Sequence, residues 1–280
     1  MDSNKPLVLV VNDDGIDSPG LIELAHQCRS IGDVLIVAPQ TSHSGASRPH
    51  PYSSSYGGTG EIEVREIELS PGDVVTAFAV NGTPNAAALH GLFELSNGRR
   101  PSLCVSGINF MENVGNGIYA SGTIAAALEA ADRGIPAIAI SQQLPPKANR
   151  PSDWDGLRKM FSVAGKIAAT LGQKIIANDS INKSRLCLNV NVPAGATLDT
   201  QIVYANIAPN RLWEWLPFGR EDSSLPGKLE YGLIDELTHE PNDDSYELHE
   251  HSNVTVTAIT SSMQDYSADI GAIEALFDMR

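Results

Sequence analysis

Two adjacent carboxylates, Asp13 and Asp14, follow an apolar run at residues 7–11 that is typical of a buried strand. Neighbouring negative charges repel each other unless a cation holds them, so this pair predicts a metal site. Taken alone, the pair is also typical of a turn followed by a helix cap, because aspartate is common in both. The polar residues elsewhere in the chain decide between these interpretations.

Two further polar loops follow predicted strands and carry oxygen donors. One loop contains His43, Ser44 and Gly45, and the other begins at Ser106 and includes Asn109. In an open parallel sheet, such loops converge at the carboxyl ends of the strands, near a switch in strand order. Carboxylate, hydroxyl and amide oxygens suit magnesium, manganese or calcium and disfavour a thiolate zinc site. The three loops together therefore predict a site for a hard divalent cation.

Ser121, Gly122 and Thr123 stand at the start of a predicted alanine-rich helix. Free N–H groups and the helix dipole favour an anion at such a position, and Gly122 would let a phosphate approach the backbone closely. An ordinary Ser or Thr helix cap is the other interpretation. A phosphate between this terminus and a metal would be polarised from two sides, which is the arrangement of metal-assisted phosphoester hydrolysis.

The elements that must position these loops alternate between apolar β-rich runs and helical patterns. This alternation predicts an α/β fold with a mostly parallel sheet covered on both faces. In the predicted strand at residues 185–192, the Leu-Asn-Val-Asn-Val-Pro alternation predicts either an edge strand or a face turned toward polar groups. Predicted strands cover residues 7–11, 34–38, 61–68, 74–80, 103–108, 137–141 and 185–192, and predicted helices cover residues 19–30, 83–95, 122–133, 153–171 and 268–279.

The charge balance narrows the classes of partner. The chain has 34 acidic and 19 basic residues, a net charge of −15, which opposes binding to a nucleic-acid duplex or an anionic membrane. No signal-peptide core is visible and no apolar run approaches the ~20 residues of a spanning helix, so we expect a cytoplasmic protein. Cys28, Cys104 and Cys187 lie far apart in apolar segments, as reduced core thiols do.

Residues 220–250 contain ten acidic and two basic residues. Their apolar residues are scattered, which predicts an arm lying outside the core. Two interpretations stay open for this arm. It is either a solvated surface excursion or a hairpin that packs on another subunit.

Other catalytic motifs fit poorly. Residues 115–120 satisfy G-x-G-x-x-A but lie several residues beyond their strand, which disfavours a dinucleotide site. The chain contains no P-loop motif, and Asp13-Asp14 does not match the D-x-D pattern of aspartyl-phosphate phosphatases. Ser44-Gly45 is not a nucleophile elbow, which leaves an acyl hydrolase as a weak alternative. His43 is either a donor to substrate or a solvated loop side chain.

The ordered motifs together resemble the SurE survival-protein family of metal-dependent nucleotidases. They are Asn12-Asp13-Asp14-Gly15-Ile16 with Ser18-Pro19-Gly20, Val37-Ala38-Pro39 leading to Ser44-Gly45-Ala46-Ser47, Asn81-Gly82-Thr83-Pro84, and Val105-Ser106-Gly107-Ile108-Asn109 reaching Ser121-Gly122-Thr123. Leu188-Asn189-Val190-Asn191-Val192-Pro193 extends the match toward the C-terminal third.

The resemblance implies a three-layer α/β/α, Rossmann-like sandwich with a C-terminal β-hairpin extension used in homodimers or homotetramers. It implies hydrolysis of nucleoside 5′- or 3′-monophosphates to nucleoside and phosphate, with one divalent cation per subunit, Mg²⁺ or Mn²⁺. We expect residues 1–280 to form one SurE-like domain. Within it, residues 1–200 would be the nucleotidase core, residues 201–262 the oligomerisation region and residues 263–280 a C-terminal helix.

The family's metal site maps onto Asp13, Asp14, Ser44 and Asn109, the donors that the loops supply. Asp13 and Asp14 would then be catalytic, and Asn12 would orient the loop or a water molecule. Residues expected to contact phosphate or substrate are His43, Gly45, Ser106, Gly107, Asn113, Ser121, Gly122 and Thr123.

The chain departs from the family pattern in two loops. Residues 40–43 lack the acid and arginine that the family commonly has there, and residues 111–117 lack two acids. The metal ligands are unaffected, but base, sugar and chain-length preference are left open. The alternatives are a catalytically weak nucleotide- or metal-binding module and a metal-independent acyl or ester hydrolase.

Overall fold

A computed structural model describes residues 5–49, 58–178, 185–209, 213–216, 230–233 and 240–262. The helix predicted at residues 268–279, and with it the proposed C-terminal segment 263–280, lies outside the described residues.

Nine strands form one sheet in the order β3-β4-β2-β1-β5-β6-β7-β11-β8. Every neighbouring pair is parallel except β3 with β4 and β7 with β11. The strands of this sheet are β1 Leu7–Val11, β2 Asp33–Pro39, β3 Ile62–Ser70, β4 Asp73–Val80, β5 Leu103–Phe110, β6 Ala137–Gln142, β7 Cys187–Val192, β8 Ile202–Tyr204 and β11 Val254–Ile259. A separate antiparallel pair joins β9 Trp213–Leu216 to β10 Glu230–Leu233.

Helices cover both faces of the sheet. The helices are α1 Pro19–Cys28, α2 Pro84–Phe93, α3 Gly122–Ala131, α4 Trp154–Ala177 and the short α5 Asp244–His249. Helix α1 packs against α4, and α2 packs against α3, with a separate apolar core on each side of the sheet. All five residues of β1 are buried because helices cover both of its faces. The predicted three-layer α/β fold with a mostly parallel sheet is therefore confirmed.

Most helix starts follow the expected capping chemistry. Thr83 and Asp153 accept hydrogen bonds from backbone N–H groups in the first turns of α2 and α4. Ser18 occupies the cap position of α1, with Pro19 following it, but its side chain makes no capping bond. Helix α4 continues six residues beyond the predicted end at 171, since Ile175 still faces the core.

Strand β7 lies between β6 and β11, so the edge-strand interpretation of residues 187–192 is wrong. The second interpretation is correct, because Asn189 and Asn191 donate to the backbone carbonyl of Asn113 at 2.8 and 3.1 Å. The asparagines of this alternation therefore make polar contacts inside the fold.

The prediction that residues 220–250 form an arm outside the core is wrong for the part around residues 243–249. Residues 244–249 form α5, which packs against β7 and β11, and Asp244 is fully buried. These acids do not lie outside the core, because Asp243 caps α5 and Asp244 accepts backbone hydrogen bonds. Strands β8 and β11, both within the predicted extension, pair in the main sheet. The division of the chain at residues 200 and 263 stays a prediction.

The three thiols, Cys28, Cys104 and Cys187, are buried and free, as the sequence predicts. Burial raises the pKa of both the Cys28 and Cys104 thiols to about 12. Among the described helices, none combines the length and apolar character that a membrane span requires.

Candidate metal and phosphate site

The carboxylate pair lies at the switch point of the sheet, where β1 is flanked by β2 on one side and β5 on the other. Asn12 is fully buried and closes the loop after β1. Its amide nitrogen donates to the Gly15 carbonyl at 2.9 Å, and its Oδ1 accepts from the Gly15 N–H at 3.2 Å. Asn12 thus fixes the backbone that carries Asp13 and Asp14.

The loop that follows β2, residues 40–49, packs directly on the carboxylate pair. The His43 N–H donates to the backbone carbonyl of Asp13 at 2.7 Å. Ser47 bonds the segment before α3, donating from its N–H to the Ala120 carbonyl at 3.0 Å and from Oγ to the Tyr119 carbonyl at 2.7 Å. This loop therefore bridges the end of β1 and the start of α3.

The end of β5 supplies the third part of the site. The Phe110 N–H donates to Asp14 Oδ2 at 3.4 Å. The pairing of β5 with β6 shifts register between Ser106 and Asn109, so two residues of β5 stand opposite one of β6. The Asn109 amide nitrogen donates to the Met111 carbonyl at 2.7 Å, while its Oδ1 has no hydrogen-bond partner among the described residues. Asn109 thus keeps one carbonyl oxygen available as a ligand.

The start of α3 is in contact with Asp13. Thr123 Oγ1 donates to Asp13 Oδ1 at 2.5 Å. A Cβ atom added at Gly122 would lie 2.8 Å from both Cβ and Oδ2 of Asp13, so only glycine permits this approach. Ser121 caps the helix, its Oγ accepting from the Ile124 N–H at 3.2 Å. The anion at this helix terminus is thus the Asp13 carboxylate, and phosphate binding by these three residues stays a prediction.

The electrostatics of Asp13 and Asp14 favour binding of a cation. Burial raises the pKa of Asp13, and hydrogen bonds from Thr123 oppose that rise. Burial, together with the neighbouring Asp13, raises the pKa of Asp14 to about 7. Within the described ranges, no lysine or arginine forms an ion pair with either carboxylate. A bound divalent cation would compensate both charges.

The available donors fit a hard cation. Two carboxylates, the Asn109 carbonyl oxygen and the Ser44 hydroxyl are all oxygen ligands of the kind that Mg²⁺ and Mn²⁺ prefer. No group of three or more His, Cys, Asp or Glu side chains that could bind a metal occurs in the described part of the chain. A cation at this site would therefore combine the two acids with neutral oxygens.

The remaining predicted residues differ in how they are placed. Ser44 is exposed, and its Oγ lies 3.0 Å from the Oγ of Ser42. Gly45 has a φ of +75° and no atom near the position of a Cβ. Ser106 is fully buried and its hydroxyl has no partner among the described residues, and a Cβ at Gly107 would lie 2.3 Å from the Ile140 carbonyl oxygen. Both are therefore enclosed in the sheet, while Ser44 and Gly45 face open space.

Asn113 belongs to a polar network beside the end of β5, where Ser141 lies opposite Asn109. Its amide nitrogen donates to Ser141 Oγ at 2.9 Å, and its N–H donates to Asn191 Oδ1 at 2.7 Å. The signal for this network was visible in the Asn and Val alternation of residues 187–192.

Asp244 was missed by sequence reasoning. It accepts from the N–H groups of Gly115, at 3.1 and 3.2 Å, and Ala208, at 2.9 Å. Asp244 thereby ties α5 to the loop between β5 and α3, residues 111–121. Only the density of acids around it marked this region, and that density does not distinguish a buried acceptor from a solvated one.

Comparison with known proteins gives independent evidence of the family to which this chain is similar. The family model described as "Survival protein SurE" matches residues 8–214. A protein of Methanopyrus kandleri named 5′-nucleotidase SurE is 35% identical over 269 residues, which cover 95% of each chain. A protein of Methanocella arvoryzae with the same name is 31% identical over 259 residues, covering 91% of this chain and 92% of its own length.

A solved structure is similar to the whole fold. The crystal structure of the SurE protein from Aquifex aeolicus aligns with a TM-score of 0.71 at 26% sequence identity. The alignment covers 98% of this chain and 100% of the other.

Proposed function

The chain belongs to the SurE family of survival proteins, and we propose that it is a metal-dependent 5′-nucleotidase whose cation binds at Asp13 and Asp14. The reaction is hydrolysis of a nucleoside monophosphate to nucleoside and phosphate. The observation that supports this assignment best is the convergence of the loop after β2, the end of β5 and the start of α3 on Asp13, which is buried, and Asp14, which is partly buried. Neither carboxylate has a lysine or arginine ion-pair partner among the described residues.

The proposed ligands are Asp13, Asp14, Ser44 and Asn109, with Mg²⁺ or Mn²⁺ as the cation. When bound, such a cation supplies Lewis-acid stabilisation of negative charge on phosphoryl oxygens. The assignment of these four residues rests on their oxygen chemistry and on the contacts between the three segments that carry them.

The protein's own residues prepare the site by fixing its ligands. Thr123 Oγ1 orients the Asp13 carboxylate, and the positive end of the α3 dipole favours its ionised form. The bond from Asn109 to the Met111 carbonyl fixes the amide plane, which directs Oδ1. Ligands held in this way need no rearrangement when substrate binds, and such preorganisation is a main source of catalysis.

His43 is the proposed donor to substrate. Its Nδ1 lies 2.8 Å from the Thr41 carbonyl oxygen, so that nitrogen carries the proton. In a neutral imidazole, Nε2 is then an acceptor, and donation to a phosphate or a leaving oxygen requires the imidazolium form.

The assembly is proposed as a homodimer or homotetramer formed through the β9 and β10 hairpin. This hairpin forms a sheet of its own, separate from the nine-stranded sheet. A variant in which a short Gly and Ser linker replaces residues 213–233 tests the assembly. Its particle mass by light scattering should fall to that of one subunit, and an unchanged subunit number contradicts the proposal.

The cytoplasm is the proposed location of the protein. The three free buried thiols support it, because they favour a reducing compartment.

The activity itself is tested by phosphate release from a panel of nucleoside monophosphates. We expect EDTA to abolish release and added Mg²⁺ or Mn²⁺ to restore it. Release that ignores EDTA would instead identify a metal-independent hydrolase. Binding of nucleotide without release, in protein supplied with metal, would identify a binding module.

A further inference from the structure

A pocket of about 340 Å³ lies at the start of α3, the segment that contacts Asp13. Ser121 lines this pocket, and the next residue, Gly122, contacts Asp13. The pocket volume falls within the roughly 300–1,000 Å³ typical of sites for small organic ligands. A ligand that reached the carboxylates with one end could therefore occupy the pocket with the other.

The walls of the pocket are largely apolar. Helix α3 contributes Ile124, Ala125 and Leu128, and the facing side contains Ile118 and Ile207. The Tyr119 side chain stands at this pocket and is 58% exposed. An aromatic ring beside apolar walls suits a flat, uncharged ring system, which can stack on the tyrosine and displace water from the aliphatic side chains.

The charge of the pocket disfavours a phosphate inside it. Arg48 is the one charged residue among those that line it in the described part of the chain. Its guanidinium already pairs with Glu129 at 2.7 Å and with Asp132 at 2.8 Å. Glu129 also pairs with Arg133 at 2.7 Å, so two guanidinium groups balance the two carboxylates. The cluster therefore leaves no unpaired cation that would attract an anionic group.

Two hydroxyls give the pocket directional acceptors. Ser47 Oγ donates its proton to the Tyr119 carbonyl, and Ser261 Oγ donates to Asp132 Oδ1. Each oxygen therefore has lone pairs left to accept a hydrogen bond from a ligand O–H or N–H group. Sugar hydroxyls and exocyclic amino groups are donors of this kind.

We propose that this pocket binds the nucleoside part of the substrate, with the base on Tyr119, while the phosphate lies at Asp13 and Asp14. The inference rests on the proposed function for the position of the phosphate. It assigns base preference to the segments that line the pocket. They include the end of the loop after β2, the start of α3, the last two residues of β11 and residues 260–262, which follow that strand.

The test uses two pairs of variants in the metal-loaded protein. Leu128→Trp fills the half-buried wall of the pocket, and Leu198→Trp, at a residue that is 64% exposed and outside the pocket, is its control. Tyr119→Ala removes the ring, and Tyr204→Ala removes an exposed tyrosine elsewhere. Thermal unfolding establishes that each variant is folded, and Tyr119→Ala decides the question if Leu128→Trp does not fold.

Two readouts are compared for each variant: kcat/KM for adenosine 5′-monophosphate against ethyl phosphate, and the dissociation constant of adenosine in equilibrium titration. Because a base stacked on an aromatic side chain contributes ~1–3 kcal/mol, we expect Tyr119→Ala to lower kcat/KM for the nucleotide about tenfold. The same variant should leave ethyl phosphate within about twofold. Adenosine should bind about tenfold more weakly to it, and the two control variants should behave as the unmodified protein.

The two proposals fail separately. Equal losses for the nucleotide and ethyl phosphate, or no loss for either, overturn the nucleoside pocket and leave the nucleotidase assignment intact. Absence of hydrolysis in the unmodified protein overturns the assignment, while the adenosine titration still tests the pocket. Adenosine that binds Tyr119→Ala as tightly as it binds Tyr204→Ala excludes the pocket whatever the activity.

Discussion

Asp14, which is partly buried, and Asp244, which is fully buried, both have a raised pKa, yet their surroundings differ. Burial raises the pKa of Asp14 to about 7 and that of Asp244 to about 6. Each has a second carboxylate nearby that raises its pKa, Asp13 beside Asp14 and Asp243 beside Asp244. Asp244 accepts from two backbone N–H groups at 2.9–3.2 Å, whereas Asp14 accepts a single bond at 3.4 Å. The chain therefore satisfies the Asp244 carboxylate, while the Asp14 carboxylate accepts only one long hydrogen bond among the described residues.

This difference separates a structural acid from a functional one more clearly than burial or pKa does. A carboxylate that completes the hydrogen bonding of two loops contributes to stability. A carboxylate that is desolvated and also repelled by its neighbour reduces stability until a cation binds. Substitution at Asp14 should therefore act mainly on activity, and substitution at Asp244 mainly on stability.

Asp14→Asn should produce the largest change. Loss of one anionic ligand should lower turnover of nucleoside monophosphates at least about a thousandfold, which corresponds to ~4 kcal/mol of transition-state stabilisation. The free energy of unfolding of the metal-free variant should stay level or rise, because a buried charge is removed. Phosphate-release assays and urea denaturation measure the two effects, with Asp244→Asn as the matched control. Near-normal turnover in purified Asp14→Asn would sink the assignment of this residue.

Asp244→Ala should have the largest effect on stability. It leaves the N–H groups of Gly115 and Ala208 buried without an acceptor, at a cost of about 3 kcal/mol in the free energy of unfolding. Asp244→Asn should cost less than Asp244→Ala, because it keeps Oδ1, which accepts from both groups, and loses only the bond from Gly115 to Oδ2. Urea denaturation of the two variants makes the comparison. Equal costs for alanine and asparagine would show that these hydrogen bonds do not stabilise the fold.

Thr123→Val should have an intermediate effect confined to the site. It removes the hydroxyl that orients Asp13 and retains the shape of the side chain, so metal affinity and kcat/KM should each fall about tenfold. Calorimetric titration with Mn²⁺ measures the affinity. Thr123→Ser, which keeps the hydroxyl, should recover most of the loss, and failure of serine to do so would assign the effect to packing.

The smallest effect concerns pH and Asp244. Its folded-state pKa of about 6 lies above the ordinary value of 3.8, so the folded protein binds this proton more tightly than the unfolded chain does. The stability contributed by the protonated carboxyl is complete below about pH 4 and is lost as pH rises toward 6. Asp244→Asn cannot titrate, so its stability relative to the unmodified protein should increase across that window. Urea denaturation at pH 4.5, 5.5 and 7 follows the difference, and a constant difference contradicts the assigned shift.

The sheet and the carboxylate pair could be predicted from sequence because their signals are local. An apolar run of strand length ending in Asp13 and Asp14 needs no knowledge of the rest of the fold. The family resemblance, confirmed by the comparisons, also followed from short ordered motifs. Positions set by contact between distant segments could not be found in this way, as the contact of Thr123 with Asp13 illustrates.

The region after residue 200 shows why the remainder was missed. Strand β8 has three residues, and its partner β11 is fifty residues away, so neither shows a pattern that local periodicity can assign to the main sheet. Residues 254–259 do alternate in type, and that signal was available. Acidic composition was the stronger signal and was misleading, because Asp243 and Asp244 accept backbone hydrogen bonds inside the fold.

Gly122 has a consequence for protein engineering. Helix α3 is rich in alanine, and by helix propensity alone alanine would be preferred to the glycine at its first position. A redesign that replaces helical glycines to gain thermal stability would therefore select this residue early. The added methyl group would collide with Asp13 and push the helix away from the carboxylate, so a change scored as an improvement to the scaffold would damage the site it carries.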